Sequence, residues 1–122
     1  MEDWGIAVQA AIDRKAMEPT VLDIGKVNTF TEQFVICHGN NSRQVQAIAD
    51  AVQSDLRAEG RRPLHVEGYS QAEWILLDYG DFVFHVFSRD KRHYYDLERL
   101  WRTAPKLPLP VSSPQLPEQV QV

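Results

Sequence analysis

The chain has 122 residues, 43% of them hydrophobic and 25% charged, which fits one globular domain and excludes a low-complexity or fibrous chain. No apolar run approaches the ~20 residues of a membrane-spanning helix. Net charge is −4, and all of it can be assigned to residues 63–88, where Glu67, Glu73, Asp78 and Asp81 stand without a lysine or arginine. A local acidic field of this kind favours a basic partner and repels a phosphate backbone, so nucleic acid is not expected as the ligand of this segment.

The N-terminus, Met1-Glu2-Asp3-Trp4, lacks the basic region and apolar stretch of an export signal, and the expectation is a protein that works in the cytoplasm where it is made. A single cysteine, Cys37, cannot form an internal disulfide. Four dispersed histidines (38, 65, 85 and 93) show no metal-ligand spacing, so no metal or cofactor is expected.

In chain order, Trp4, Val8, Ala11 and Ile12 lie at helical spacing within residues 3–17, ahead of Pro19. Val21 to Ile24 predicts a short strand and Gly25 to Thr29 a turn. Phe30 to His38 predicts a longer strand, apolar on both faces over Phe34-Val35-Ile36-Cys37 and therefore central. Gly39-Asn40-Asn41-Ser42 turns into a helix that runs to Glu59, with Asn41 or Ser42 as cap and Gln44 in capping-box position. A free helix start of this kind can bind phosphate, but the loop has neither a P-loop lysine nor a dinucleotide glycine pattern, and a capped helix is the simpler reading. Residues 64–67 form a further strand, which completes a strand–helix–strand crossover.

Glu73 to Asp78 and Phe82 to Phe87 are two strands joined by the turn Asp78-Tyr79-Gly80-Asp81. Asp90 is placed to cap a last helix carrying His93, Leu97, Leu100, Trp101 and Ala104 on one face. Beyond it, residues 105–122 hold five of the seven prolines and no hydrophobic period, and read as a disordered tail. The expected architecture is an α/β (α+β) domain over residues 1–104: a mixed five-stranded sheet with helices mainly on one face.

Strand alternation puts Trp74, Leu76 and Asp78 on one face and Ile75, Leu77 and Tyr79 on the other. If helices cover one face only, an apolar row rimmed by acids is left open, with the make-up of a protein interface. Two other chemistries are conceivable. Asp78 and Asp81 could hold Mg²⁺ in a nucleotide-using enzyme, although aspartates around a glycine turn are ordinary turn residues. Arg61, Arg62, Arg89, Lys91 and Arg92 could form an RNA-binding patch, although they sit at element ends where solvated charge is usual. His85, between Phe84 and Val86, reads as a hydrogen-bonded packing residue. Cys37 and His38, adjacent on a strand, point to opposite faces and make a poor nucleophilic pair.

Three blocks in order resemble the ribosomal silencing factor family, also called Iojap. The first is Gly39-Asn40-Asn41-Ser42-Arg43-Gln44-Val45-Gln46-Ala47-Ile48-Ala49. The second comprises Glu67-Gly68, then Trp74-Ile75-Leu76-Leu77-Asp78-Tyr79-Gly80-Asp81, then His85-Val86-Phe87. The third is Tyr94-Tyr95-Asp96-Leu97-Glu98-Arg99-Leu100-Trp101, and together the blocks extend the resemblance over residues 4–104. Glu32-Gln33 stands where the family commonly has Asp-Tyr, and no role is assigned there.

The resemblance implies a fold related to nucleotidyltransferases without their catalytic motif, and no enzymatic activity. It implies binding to a protein of the large ribosomal subunit, the fourteenth in that subunit's naming series, on the face that meets the small subunit. Translation would then be repressed under nutrient limitation by blocked subunit joining. Carried over to this sequence, the contact surface comprises Trp74, Leu76, Asp78, Tyr79 and Asp81, with Glu67, Tyr69, Ser70 and His85 as neighbours. A homodimer is conceivable when the protein is free, because the same apolar face would then lack its partner.

Overall fold

Phe34 to Cys37 is apolar at every position because both of its faces are covered. In the computed structural model, which describes residues 1–109, this stretch lies in β2 (Gln33–Gly39) and pairs in parallel with β5 (Phe82–Ser88). Around that pair run α1 (Asp3–Asp13), β1 (Met17–Asp23), a short 3₁₀ turn, α2 (Ser42–Ala58), β3 (His65–Glu67), β4 (Trp74–Asp78), α3 (Arg89–Tyr95), α4 (Leu97–Leu100) and β6 (Lys106–Leu107). The sheet order is β3-β4-β5-β2-β1-β6, with every neighbouring pair except β2–β5 antiparallel. The expected strand–helix–strand unit is present as β2-α2-β3, but β4 and β5 lie between its two strands.

The sheet has six strands rather than five. The extra one falls in the segment expected to be a disordered tail: Leu107 and Lys106 pair with Val21 and Leu22, and Asp23 N–H donates to Pro105 O at 2.8 Å. Leu107 and Leu109 pack against the core, so the ordered body continues past Ala104. A two-residue strand between prolines carries no period to read, and an edge is where a proline-flanked strand is tolerated. The remainder of the predicted tail, residues 110–122, lies outside the described residues.

The two sheet faces are covered unequally. On one, α1 and α2 bury Val35, Cys37, Ile75, Leu77, Phe84 and Val86. On the other, Leu22, Ile36, Val83 and Phe87 cluster with Ile24, Leu97 and Ala104 under the short α3 and α4 and the segment after them. Helices therefore occupy both faces, but the two long ones share one face. The start of α2 is self-capped: Asn41 Oδ1 accepts from Gln44 N at 2.8 Å, and Gln44 Oε1 accepts from Asn40 N at 2.7 Å. These two contacts occupy N–H groups that a phosphate would otherwise use.

Two local readings need correction. Pro19 does not follow a helix directly; α1 ends at Asp13, and Pro19 sits inside β1, where the register shifts between Met17 and Thr20. A proline has no N–H for the ladder, and a bulge is where that loss is harmless. The final helix is broken at Asp96, whose φ of 49° starts a new short helix, and its cap is Ser88 rather than Asp90.

Arg92 ties the second face together. It is buried, donates to Glu98 and to Met17 O at 3.2 Å, contacts His38 Nδ1 at 3.0 Å, and reaches Thr20 Oγ1 at 3.3 Å. One guanidinium thus links α3, α4, β1 and β2. Removing one member of a buried, hydrogen-bonded ion pair costs roughly 3–5 kcal/mol, and the partial exposure of Glu98 points to the lower end. Arg92→Ala is expected to lose about 3 kcal/mol in urea unfolding. A loss below ~1 kcal/mol would mean that the network adds nothing beyond a surface pair.

Candidate functional site

The less covered face carries a line of aromatic and apolar side chains drawn from separate elements. Trp74 and Leu76 on β4 are half-buried, and Leu76 lies directly opposite His85 on β5. Trp74 stacks on Phe87 at 4.9 Å and meets Tyr95 of α3 at 4.6 Å between ring centroids. On the far side of Leu76, Phe34 packs edge-on to His85 at 4.6 Å and against Trp101 at 5.8 Å, and the exposed Phe30 joins them. The row is neither fully open nor buried, with Tyr95 of α3 lying against Trp74.

His85 orients this row. Trp74 Nε1–H donates to His85 Nδ1 at 3.1 Å, which fixes the indole over the sheet. His85 is only 3% exposed, and burial lowers its pKa to about 3, so the ring is neutral in the fold.

Gly68 sets the position of Trp74 from the other direction. Its φ is +80°, and a Cβ there would lie 2.0 Å from Trp74 O, so only glycine fits between the loop after β3 and the start of β4. Gly80, with φ +91°, supplies the left-handed residue of the β4–β5 turn, where Asp78 Oδ1 accepts from Gly80 N at 2.8 Å. Thr31 Oγ1 donates to Gly80 O at 3.0 Å and holds the loop before β2 against that turn.

The nine residues assigned from sequence do not form one surface. Trp74, Leu76, Asp78 and His85 share the less covered face, and Glu67, directly opposite Leu76, shares it too. Tyr79 does not belong there: it is 3% exposed and packs into the α1–α2 core, stacked on Phe82. It and His85 are support for the surface rather than exposed contacts. Tyr69 is tied toward α2, its hydroxyl donating to Asp50 at 2.9 Å and its carbonyl accepting from Gln46. Ser70 is exposed in the loop between β3 and β4. Asp81 lies at the turn and pairs with Arg61, which also pairs with Asp3 and donates to Tyr79 O. Phe30, Phe34, Tyr95 and Trp101 were not assigned from sequence, because their proximity to Trp74 and Leu76 depends on tertiary contacts between distant segments.

The other two chemistries find little material. Asp78 is engaged in its turn and Asp81 with Arg61. Among the described residues no group of three or more His, Cys, Asp or Glu side chains could hold a metal ion. Of the five cations considered for RNA, Arg61 and Arg92 are held in internal ion pairs and Lys91 lies 3.9 Å from Glu73. A cavity of about 560 Å³ borders Arg92, but the cations lining it (Arg89, Arg92 and Lys106) are equalled in number by the acids Glu18, Asp96 and Glu98. Cys37 is buried on the helix face, with its thiol pushed up to about 12 by that burial, and is not a nucleophile.

A family model described as ribosomal silencing factor during starvation matches residues 2–121. The chain belongs to the ribosomal silencing factor family. It is 43% identical over 104 residues to a ribosomal silencing factor of Halalkalibacterium halodurans, covering 85% of this chain and 89% of that one. A crystal structure of a Chromobacterium violaceum protein, 34% identical, superposes with a TM-score of 0.79 over 94% of this chain and 98% of that one. A mouse relative named for mitochondrial assembly of the ribosomal large subunit is 24% identical over 102 residues, covering 81% of this chain and 45% of its own. Membership assigns the chain to ribosome-associated regulation of translation. Among the described residues no helix is long and apolar enough to cross a membrane.

Two outcomes follow from the geometry around Trp74. Gly68→Ala is expected to cost about 2 kcal/mol or more by thermal unfolding, from positive-φ strain plus the clash with Trp74 O. His85 makes stability depend on pH in a definite direction. Its folded pKa lies below its ordinary value, so the unfolded chain takes up a proton that the folded one refuses. The penalty is absent above pH ~6.5 and grows as pH falls toward 3, by up to ~1.4 kcal/mol per unit. Between pH 7 and 5 the native protein should lose about 2 kcal/mol relative to His85→Phe. Parallel pH profiles for the two proteins would show that His85 protonates freely in the native state.

Proposed function

We propose that this protein binds a protein of the large ribosomal subunit, the fourteenth in that subunit's naming series, and blocks joining of the small subunit. The observation that carries the reading is the half-buried Trp74–Leu76 row on the less covered sheet face, held by His85 and rimmed by Glu67 and Asp78. Aromatic anchors inside a charged rim are the usual make-up of a protein interface, and an acidic rim suits the basic surface of a ribosomal protein. The name of the mouse relative, which refers to the large subunit, supports the choice of subunit.

The contact surface in this reading centres on Trp74, Leu76 and Asp78, with Glu67 at its edge and Asp81 at the β4–β5 turn. Tyr79 and His85 act from beneath. The action needs no chemistry: a folded body on the joining surface is an obstacle. The protein is then a cytoplasmic repressor under nutrient limitation, a nucleotidyltransferase-like fold without catalysis, and able to pair with itself when its ribosomal partner is absent.

Co-sedimentation with separated large and small subunits, scored together with the yield of joined particles, tests the reading. The expected result is binding to the large subunit alone and fewer joined particles. Trp74→Ala should weaken that binding by about 30-fold to 1,000-fold, the usual range for loss of an interface tryptophan, with the fold intact by circular dichroism. Normal binding by a folded Trp74→Ala variant would place the interface elsewhere.

A further inference from the structure

The cavity of about 560 Å³ lies at the carboxyl ends of β2 and β5. His38 and Asn40 line it from the end of β2, and Arg89 and Arg92 from the helix that follows β5. The two strands are parallel neighbours, but the helices that follow them part. α2 packs on the α1 side of the sheet, whereas α3 lies on the side of Trp74. A crevice forms outside the carboxyl ends where parallel neighbours diverge in this way, and open α/β sheets bind their ligands there.

Arg92 is saturated. All five of its N–H groups are occupied, by Glu98, Met17 O, His38 and Thr20. A guanidinium only donates, so the His38 Nδ1 it reaches is the bare nitrogen of a neutral imidazole. The ring proton then sits on Nε2. Burial, and after it the charge of Arg92, holds the pKa of His38 below its ordinary value, in keeping with a neutral ring. His38 is only 6% exposed, yet its Nε2 is not among the sealed atoms without a partner, which are Trp4 Nε1, Tyr79 Oη and His85 Nε2. A nearly buried ring thus keeps one donor accessible at the cavity it lines, with no acceptor among the described residues.

The charges around His38 select the ligand. Those that act on it are Arg92, Glu18, Arg89 and Glu98. Arg92 and Glu98 are paired with each other. Arg89 and Glu18 remain, both exposed and neither in an ion pair among the described residues. We infer that this cavity binds a small zwitterion of the α-amino-acid class, its carboxylate held by His38 Nε2–H and Arg89 and its ammonium by Glu18. A bare anion would be opposed by Glu18, and a bare amine would meet Arg89 and leave Nε2–H without an acceptor. The cavity volume is the liquid share of roughly nineteen waters, room for an amino acid with its side chain or for a dipeptide. Arg92 acts here as a positioning residue, which holds His38 in one tautomer. The site stands apart from the docking surface proposed above, because neither Trp74, Leu76 nor Asp78 lines it.

¹H–¹⁵N spectra of the full chain, titrated singly with each of the proteinogenic L-amino acids, test the inference. Acetate, methylamine and inorganic phosphate are the controls that carry only one kind of charge. The expected result is saturable shifts at His38, Asn40 and Arg89 with at least one amino acid, and binding at least about tenfold weaker for every control. Arg89→Gln and Glu18→Gln change exposed side chains, so the fold should persist by circular dichroism. Each should weaken the best amino acid by about tenfold. Saturable binding by none of the amino acids overturns the inference. A control that binds as tightly as the best amino acid overturns it too, since the site would then read a single charge. So does a folded Arg89→Gln or Glu18→Gln variant that binds like wild type. ¹⁵N spectra of the imidazoles of the free protein examine the donor without any variant. The expected signal at neutral pH is a proton on Nε2 of His38, and a proton on Nδ1 alone would leave the site without its donor and overturn the inference.

Discussion

The parallel pair formed by β2 and β5 is the constraint on which the rest of the structure depends. Seven residue pairs, from Gln33–Phe82 to Gly39–Ser88, bind these strands together, and each strand is buried along almost its whole length. Two parallel neighbours need a connection that leaves the sheet and returns, and here it consists of α2, β3 and β4. The return path brings β4 back beside β5 with Trp74, Leu76 and Asp78 facing away from the long helices. The half-buried Trp74–Leu76 face is a by-product of that connection, because the face opposite α1 and α2 is left to two short helices and a returning segment.

That shortage of cover explains the character of the surface. Leu22, Ile36 and Phe87 are sealed, but the margins of the same cluster are the half-buried Trp74, Leu76 and Trp101. A face covered in this way is stable enough to exist alone and apolar enough to gain from a partner. Its details are held from outside the strand that bears it. Gly68 admits the backbone of Trp74, His85 accepts from its indole, Thr31 ties the loop before β2 to the β4–β5 turn, and Arg92 fastens α3, whose Tyr95 packs on Trp74.

Charge is allocated by the same economy of partners. The acids that sequence alone could assign to metal binding are taken up locally, Asp78 by the turn N–H of Gly80 and Asp81 by Arg61. Arg61 in turn links α1, through Asp3, to the β4–β5 turn. Cations that in sequence could form a nucleic-acid patch are partly consumed in holding elements together, Arg92 most completely. Glu67, on the short edge strand, remains exposed on the face that carries Leu76 and keeps that edge acidic.

Local and strongly periodic information was legible in the sequence. The self-cap of α2, the doubly apolar run of β2, the turn of the β4–β5 hairpin and the alternation that separates Trp74 and Leu76 from Ile75 and Leu77 all follow from spacing. So does the resemblance to the ribosomal silencing factors, because its blocks are contiguous. The sequence could not show that residues 105–109 return to an edge strand, since a two-residue pairing has no period. Nor could it show that Tyr79 leaves the surface: alternation assigned it the face of Ile75 and Leu77, but which face the long helices cover is decided by how α1 and α2 pack. The cluster around His85 was equally hidden. Phe34, with Phe30 against it, meets His85 only after β2 and β5 pair, and His85 accepts from Trp74, eleven residues earlier in the chain and adjacent only in the sheet. Short-range pattern determined the elements and the family, whereas long-range pairing decided which side chains share a face and what each polar atom must still find.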